Sequence, residues 1–425
     1  MGKVPTLQSF IGDCWIGEQP AQALASAIDG HVVAHTHAES LDFGAAVAHA
    51  RSQGVPALMA MDFQERAARL KALAAYLVER KEQLYAISYH TGATRADSWI
   101  DIEGGTGTLF AYASMGSNEL PSGNVLHEGP AIQLGKQGKF FGSHILVPRG
   151  GVAVHINAFN FPIWGLLEKF APSFLAGMPC IAKPATATSY LTEAMVRLVN
   201  ESRLLPAGAL QLIIGGTGDL LEHLDGLDAV TFTGSADTAA KLRAHPNLIR
   251  CAVPFNGEAD SLNCAILAPD VSPDDEEFDL FVKEVAREMT TKAGQKCTAI
   301  RRAIVPRRHL DTVAQRLRER LAKTVIGDPA KEGVRMGALA SRAQQADVAE
   351  RVAQLAQGNE IVYGERDGFA PIGDGVGNGA FFAPTLLLSS DPMRNERVHD
   401  IEAFGPVSTL MPYDDLDEAL ALAAK

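Results

Sequence analysis

The sequence predicts an α/β protein of two units, a parallel sheet with crossover helices followed by a second α/β domain. Three observations carry this. Short apolar runs alternate with helical patterns from about Gly142 onward. Four of those runs end in Asn, Lys, Gly or Ser, the residue types that close a strand at a ligand-binding edge. The chain has 425 residues, enough for two or three domains.

The region up to about Gly142 reads mostly helical. Residues 61–91 place Leu70, Leu73, Ala74, Leu77 and Val78 at helical spacing, and Gly92 is a stop. Residues 151–157 (GVAVHIN) then read as a buried strand, 164–176 as a helix, 179–183 as the next strand and 190–202 as a helix. Strands at 209–214 and 229–233 follow, then a helix at 237–243. Right-handed crossovers turn that order into a parallel, Rossmann-like sheet. Near Cys251 a second unit begins, with strands at 262–267, 299–305 and 382–388 and helices at 278–289, 310–323 and 343–356. The expected division is therefore 1–250 and 251–425. The final residues, 417–425, are helical in pattern with no Gly, Pro or polar stop, so the chain is expected to be a C-terminally truncated piece.

Composition removes several function classes. Hydrophobic residues are 47% and charged residues 21%, as in ordinary globular proteins. The net charge of −12 argues against non-specific binding to nucleic acid or anionic membranes, which needs a basic surface. The most apolar stretch, 159–182, holds Glu168, Lys169 and three prolines and cannot span a bilayer. The N-terminal MGKVPTLQSF has no apolar signal core. Cys14, Cys180, Cys251, Cys264 and Cys297 are odd in number and scattered, which fits free thiols in a reducing cytoplasm. The twelve histidines show no metal-ligand spacing, so no metal is expected.

Cys297, in GQKCT after a helix and a glycine, is either a nucleophile or a small buried hydrophobe. A thiol nucleophile needs a nearby cation, and Lys296 is a weak candidate. Asn157 and Asn160 lie in NAFNFP after the first sheet strand, where a ligand residue and a plain turn are both natural. Lys183, Gly215 and Gly234-Ser235 end the next three strands, and together the four ends outline a nucleotide site. No G-x-G-x-x-G opens the first crossover, so a standard dinucleotide mode is not supported. Glu258 and Asp260 are either chemistry or solvated loop charges.

Taken together these motifs resemble the aldehyde dehydrogenase superfamily across essentially the whole chain. The family's P-W-N-F-P reads Ala158-Phe159-Asn160-Phe161-Pro162, and its K-P-x-E reads Lys183-Pro184-Ala185-Thr186. F-T-G-S is intact at Phe232–Ser235, G-Q-x-C at Gly294–Cys297 and E-x-F-G-P-V at Glu402–Val407. The usual E-L-G-G-K is absent, and Glu258 stands in EADSLN instead. Segments 91–99, 156–162 and 292–302 resemble the branch that oxidises CoA-linked semialdehydes in phenylacetate and benzoyl-CoA degradation. One member of that branch carries a hot-dog hydratase domain after its dehydrogenase.

The resemblance implies an aldehyde dehydrogenase-like fold, with a Rossmann-like cofactor-binding domain and an α/β catalytic domain. It implies Cys297 as nucleophile, Asn160 as oxyanion donor and Glu258 as the base for deacylation, its pKa raised by burial. Lys183 and Thr186 would meet the adenosine ribose, Gly215, Gly234 and Ser235 would line the cofactor cleft, and Glu402 and Phe404 would hold the nicotinamide ribose. Thr186 stands where an acid would repel a 2′-phosphate, so NADP is expected, with NAD the alternative. The expected substrate is a small aldehyde, CoA-linked, with Arg301-Arg302 and Arg307-Arg308 either phosphate anchors or solvated surface. A homo-oligomer, fused to or partnered with a hydratase, is expected, as is the absence of nucleic-acid and membrane partners. Two other readings stay open: a CoA-acylating dehydrogenase, and a truncated nucleotide-binding chain without turnover.

Overall fold

A computed structural model describes residues 4–425, in two compact units. The first comprises the chain up to Leu24, Ala34–Tyr85 and Trp99–Ala259; the second comprises Ala25–Val33, Ala86–Ser98 and Asp260–Lys425.

In the first unit the strands are β1 (Ser9–Ile11), β2 (Cys14–Ile16), β3 (Pro20–Ala25, its last residue in the second unit), β4 (Val32–His37, its first two residues in the second unit), β5 (Leu126–Gln133), β6 (Phe141–Leu146), β7 (Ala153–Ile156), β8 (Cys180–Lys183), β9 (Leu210–Leu212), β10 (Ala229–Thr233) and β11 (Phe255–Glu258). Seven of them form one sheet in the order β11-β10-β7-β8-β9-β1-β2. The members β7 to β11 run parallel, and β1 and β2 close the far edge antiparallel. The chain reverses spatial order at β7, between β10 and β8, which makes its carboxyl end a crevice where α/β proteins bind ligands. Val154, Ile156, Ile181, Val230 and Phe232 are buried in one core with Ile213, Leu220 and Leu224. Each such side chain contributes roughly 1.5–3 kcal/mol on burial. The helix Phe63–Glu79 starts at a capping box between Asp62 and Glu65 and buries Leu70, Leu73, Ala74 and Leu77.

The mostly helical expectation for the region before Gly142 holds over 43–118 and is corrected at its two ends. Strands β1 to β4 occupy much of the first 37 residues, and β5 and β6 form an antiparallel hairpin interrupted by a bulge. Strands of three residues have too few positions to show a period. The β5–β6 ribbon is exposed along nearly all its length, so it lacks the buried-exposed alternation that marks a strand.

The second unit is built on β12 (Cys264–Ile266), β13 (Arg302–Pro306), β14 (Glu360–Tyr363), β15 (Thr385–Leu388) and β16 (Val407–Tyr413), in the order β12-β13-β16-β15-β14. Only β14 is antiparallel to its neighbour. Alternate residues of the central strands serve two cores. Ala303, Val305, Leu386 and Leu410 pack with the helices Glu276–Thr290 and Leu310–Ala322. Ile304, Leu387 and Met411 pack with Val348, Leu355, Ala419 and Leu422. No helix among the described residues is long and apolar enough to cross a membrane.

Candidate active site

In the first unit the expected ligand residues gather at the carboxyl ends of the parallel strands. The Asn157 N–H donates to the Lys183 carbonyl (3.0 Å), carrying the β7–β8 ladder one residue past β7. The chain then turns through Asn160, which is buried, into the helix Trp164–Leu175. That turn is pinned at several points. The fully buried Asp101 accepts from the Ile163 and Trp164 N–H groups (3.1 and 2.8 Å to Oδ1) and satisfies amides at the helix start. The Thr188 and Thr192 hydroxyls donate to the Phe159 and Pro162 carbonyls, each at 3.1 Å.

Lys183 ends β8, and burial lowers its ammonium pKa, the direction desolvation imposes on a cation. Thr186 opens the 3₁₀ turn Thr186–Thr188 directly after it. Gly215 sits at φ +112° with nothing within 4 Å of the point a Cβ would occupy, so backbone there is open to a ligand. Gly234 follows β10, and Ser235 caps the helix Ala236–Arg243 by accepting from the Thr238 N–H. Glu258 is the register partner of Thr233 at the ends of β11 and β10. It is exposed, so the burial expected of it is absent; β11 is an edge strand and leaves that position open.

These residues fit a polar cofactor. Both side-chain atoms of the Asn157 amide and the hydroxyls of Thr231 and Thr233 are buried without a hydrogen-bond partner on β10 and at the end of β7. Buried polar atoms of this kind cost free energy until a ligand or water pairs with them. The sequence alone does not single out the Thr233 hydroxyl; its place beside Glu258 comes from strand pairing.

In the second unit Cys297 is exposed, on a loop that follows the helix Glu276–Thr290. Lys292 (φ 53°), Ala293 (φ 51°) and Gly294 (φ 69°) are three consecutive left-handed residues leading to it. The two non-glycine residues each cost on the order of 1–3 kcal/mol, so the surroundings must hold them. The Gln295 amide donates to the Lys292 carbonyl (2.9 Å) and accepts from the Ala340 N–H (2.9 Å). The Cys297 carbonyl accepts from Ser261 Oγ (2.7 Å) and Asn263 Nδ2 (2.6 Å). A Cβ on Gly294 would lie 2.1 Å from the Gly405 carbonyl oxygen. Gly294→Ala is therefore expected to lower stability by about 3 kcal/mol or more, read as the denaturation midpoint, because strain and a clash with backbone add.

Arg301 organises the rest of this loop. It is buried and donates to the carbonyls of Gly405 (2.7 Å) and Gly294 (2.8 Å). Its guanidinium lies 5.4 Å from the Phe404 ring centroid and 3.4 Å from the Glu402 carboxylate, close enough for charge attraction though not aligned for a hydrogen bond. Burial raises the Glu402 pKa, and Arg301 opposes that rise. Arg301 also interacts electrostatically with Cys297. Lys296, the sequence's candidate for activating the thiol, instead pairs with both oxygens of Glu288 (2.8 and 2.7 Å).

The reading of Arg301-Arg302 as phosphate anchors or solvated surface is corrected. Both are buried, and Arg302 spends its guanidinium on the carbonyls of Leu262, Leu422 and Ala423. Arg307 is exposed and paired with Asp414 (2.7 Å). No group of three or more metal-type ligands occurs among the described residues.

A parallel sheet with polar strand ends, followed by an α/β unit presenting a thiol on a locked loop, is in keeping with an oxidoreductase, and the family model described as "Aldehyde dehydrogenase family" matches residues 15–425. The chain belongs to the aldehyde dehydrogenase family. It is 44% identical over 421 residues to a 3,4-dehydroadipyl-CoA semialdehyde dehydrogenase of Aromatoleum evansii, covering 99% of this chain and 82% of the relative. It is 27% identical over 383 residues to a lactaldehyde dehydrogenase of Escherichia coli (strain K12), covering 88% and 74%. The crystal structure of an aldehyde dehydrogenase C mutant from Pseudomonas syringae, in complex with NAD+ and octanal, shares the fold: TM-score 0.83, 23% identity, 98% and 82% covered.

Proposed function

We propose that the chain oxidises a CoA-linked semialdehyde from aromatic-ring degradation to its carboxylic acid, with NADP as oxidant and a thioester on Cys297 as intermediate. The observation that carries the substrate class is the 44% likeness to the 3,4-dehydroadipyl-CoA semialdehyde dehydrogenase, which runs through 99% of this chain.

In this reading the Cys297 thiolate adds to the aldehyde carbon. Asn160 Nδ2 and the Cys297 N–H stabilise the oxyanion that forms, each such donor being worth about 3 kcal/mol. Fixing the Cys297 carbonyl through Ser261 and Asn263 limits the freedom of the thiol and its N–H before substrate arrives. A bound nicotinamide would supply the hydride acceptor, and loss of hydride from the tetrahedral adduct would leave a thioester on Cys297. Glu258 takes a proton from water, the hydroxide attacks the thioester carbonyl, and the acid leaves as the thiolate is restored. An exposed Glu258 is in contact with the water it has to activate.

Lys183 and Thr186 would hold the adenosine ribose, Gly215, Gly234 and Ser235 the cofactor cleft, and Glu402 with Phe404 the nicotinamide ribose. The absence of an acid at Thr186 supports NADP. Thr186→Glu is expected to lower kcat/KM for NADP about tenfold or more, some 1.4 kcal/mol, and to leave NAD nearly unchanged. Initial rates with both cofactors check this.

The overall reaction is tested with a medium-chain CoA-linked semialdehyde and NADP, with and without free CoA, the products identified by mass. Acid formed without free CoA supports the hydrolytic reading. Strict dependence on free CoA, with a new CoA thioester at the oxidised carbon, contradicts it and favours the acylating reaction.

A further inference from the structure

We propose that Asp97 is a positioning residue for the Cys297 thiol. The inference rests on Cys297 being the nucleophile and goes beyond that reading by assigning a role to the segment 91–99, which neither the sheet nor the cofactor site uses.

The left-handed run Lys292-Ala293-Gly294 is the geometric problem. Its carbonyls are held from the Cys297 side, by Gln295 on Lys292 and by Arg301 on Gly294. Its leading amide is held by Asp97, whose Oδ1 accepts the Lys292 N–H at 2.7 Å. The Lys292 ammonium donates to Thr91 Oγ1 at 3.3 Å, so one short segment grips Lys292 by both backbone and side chain. Gly92 presses on the same region, since a Cβ there would lie 2.5 Å from the Ala338 carbonyl.

Asp97 also has a plainer task. With Thr94 it forms the reciprocal hydrogen bonds of a helix start: Thr94 N–H and Oγ1 donate to Asp97 Oδ2 (3.0 and 2.7 Å), and Asp97 N–H donates to Thr94 Oγ1 (3.2 Å). That task uses only Oδ2 and needs no burial. Asp97 is nonetheless 3% exposed, and its second oxygen is directed to a residue 195 positions away. The helix start fixes the carboxylate, and the carboxylate in turn fixes the strained backbone five residues before the thiol. Releasing that amide lets the run relax out of the left-handed region and displaces Cys297.

The test compares Asp97→Asn, Asp97→Ala and Thr94→Val in the full chain. Thr94→Val weakens the helix start but leaves the Lys292 contact and one donor to Oδ2. The Asp97 variants are expected to lower kcat about 10- to 100-fold, with KM for NADP within about twofold. Thr94→Val is expected to change kcat less than about threefold. The pH profile of Cys297 alkylation by iodoacetamide, followed by peptide mass, is expected to shift in the Asp97 variants and not in Thr94→Val. Asp97→Asn is nearly isosteric and carries the test if Asp97→Ala does not fold. The proposal is overturned if Asp97→Asn keeps kcat within about threefold, or if kcat, cofactor KM and melting temperature fall together in both Asp97 and Thr94 variants. Turnover surviving in Cys297→Ala overturns the underlying reading instead; the alkylation profiles judge positioning of the thiol without reference to turnover.

Discussion

Cys297→Ala is expected to lower aldehyde oxidation by roughly 10⁴-fold or more, because the covalent route has no other entry once the nucleophile is gone. Cofactor binding is expected to stay within about twofold, since Lys183 and Thr186, proposed to hold the adenosine ribose, lie at strand ends of the first unit. Two of the other cysteines are poor substitutes. Cys180 is fully buried and burial pushes its thiol pKa far up, so it stays protonated. Cys14 is exposed but sits on the outer strand β2, remote in the sheet order from the carboxyl-end residues of β7 and β10. Titration of the variant with NADP, followed by fluorescence, separates loss of chemistry from loss of binding. A residual rate within tenfold of the unmutated chain would remove Cys297 from the mechanism.

Glu258→Gln is expected to lower steady-state turnover about 10²- to 10⁴-fold while sparing the first hydride transfer. The amide matches the carboxylate in size and cannot take a proton from water, so the thioester forms and persists. Stopped-flow reduction of NADP should then show a burst of about one equivalent per chain, followed by a slow rate. Because Glu258 is exposed and at an edge strand, little structural change is expected, and the melting temperature should move by less than the turnover implies. A uniform slowing without a burst would place Glu258 before hydride transfer rather than after it.

The parallel core of the first unit was legible because its strands are short buried runs with turn residues at each end. The strand predicted at 229–233 and the helices predicted at 164–176 and 190–202 agree with the structure to within a residue or so. What escaped was set by pairing rather than by local pattern. Strand β11 is an exposed edge whose identity comes from β10, and β16 carries Pro412 within a buried strand. The two excursions of the N-terminal region into the second unit, 25–33 and 86–98, leave no mark on hydrophobic periodicity.

The site divides in the same way. Asn160, Lys183, Gly234 and Cys297 stand out in the sequence because their motifs are local. The groups that hold them do not, because they are distant in sequence. Asp101 reaches residues 62 and 63 positions away, and Asp97 reaches Lys292 across 195. Charge was the least legible property. Lys296 looked available and is committed to Glu288, while Arg301 looked like surface and is a buried cation beside the Cys297 loop. A side chain's charge is read from composition, but its availability depends on partners that only the fold supplies.

The measurement that bears most directly on the central claim is the mass of Glu258→Gln protein quenched after one turnover with a CoA-linked semialdehyde and NADP. The account predicts a gain equal to the acyl group, mapped by peptide digestion to Cys297, in proportion to the NADPH formed. NADPH formed without an adduct, or with the adduct on another residue, would contradict it.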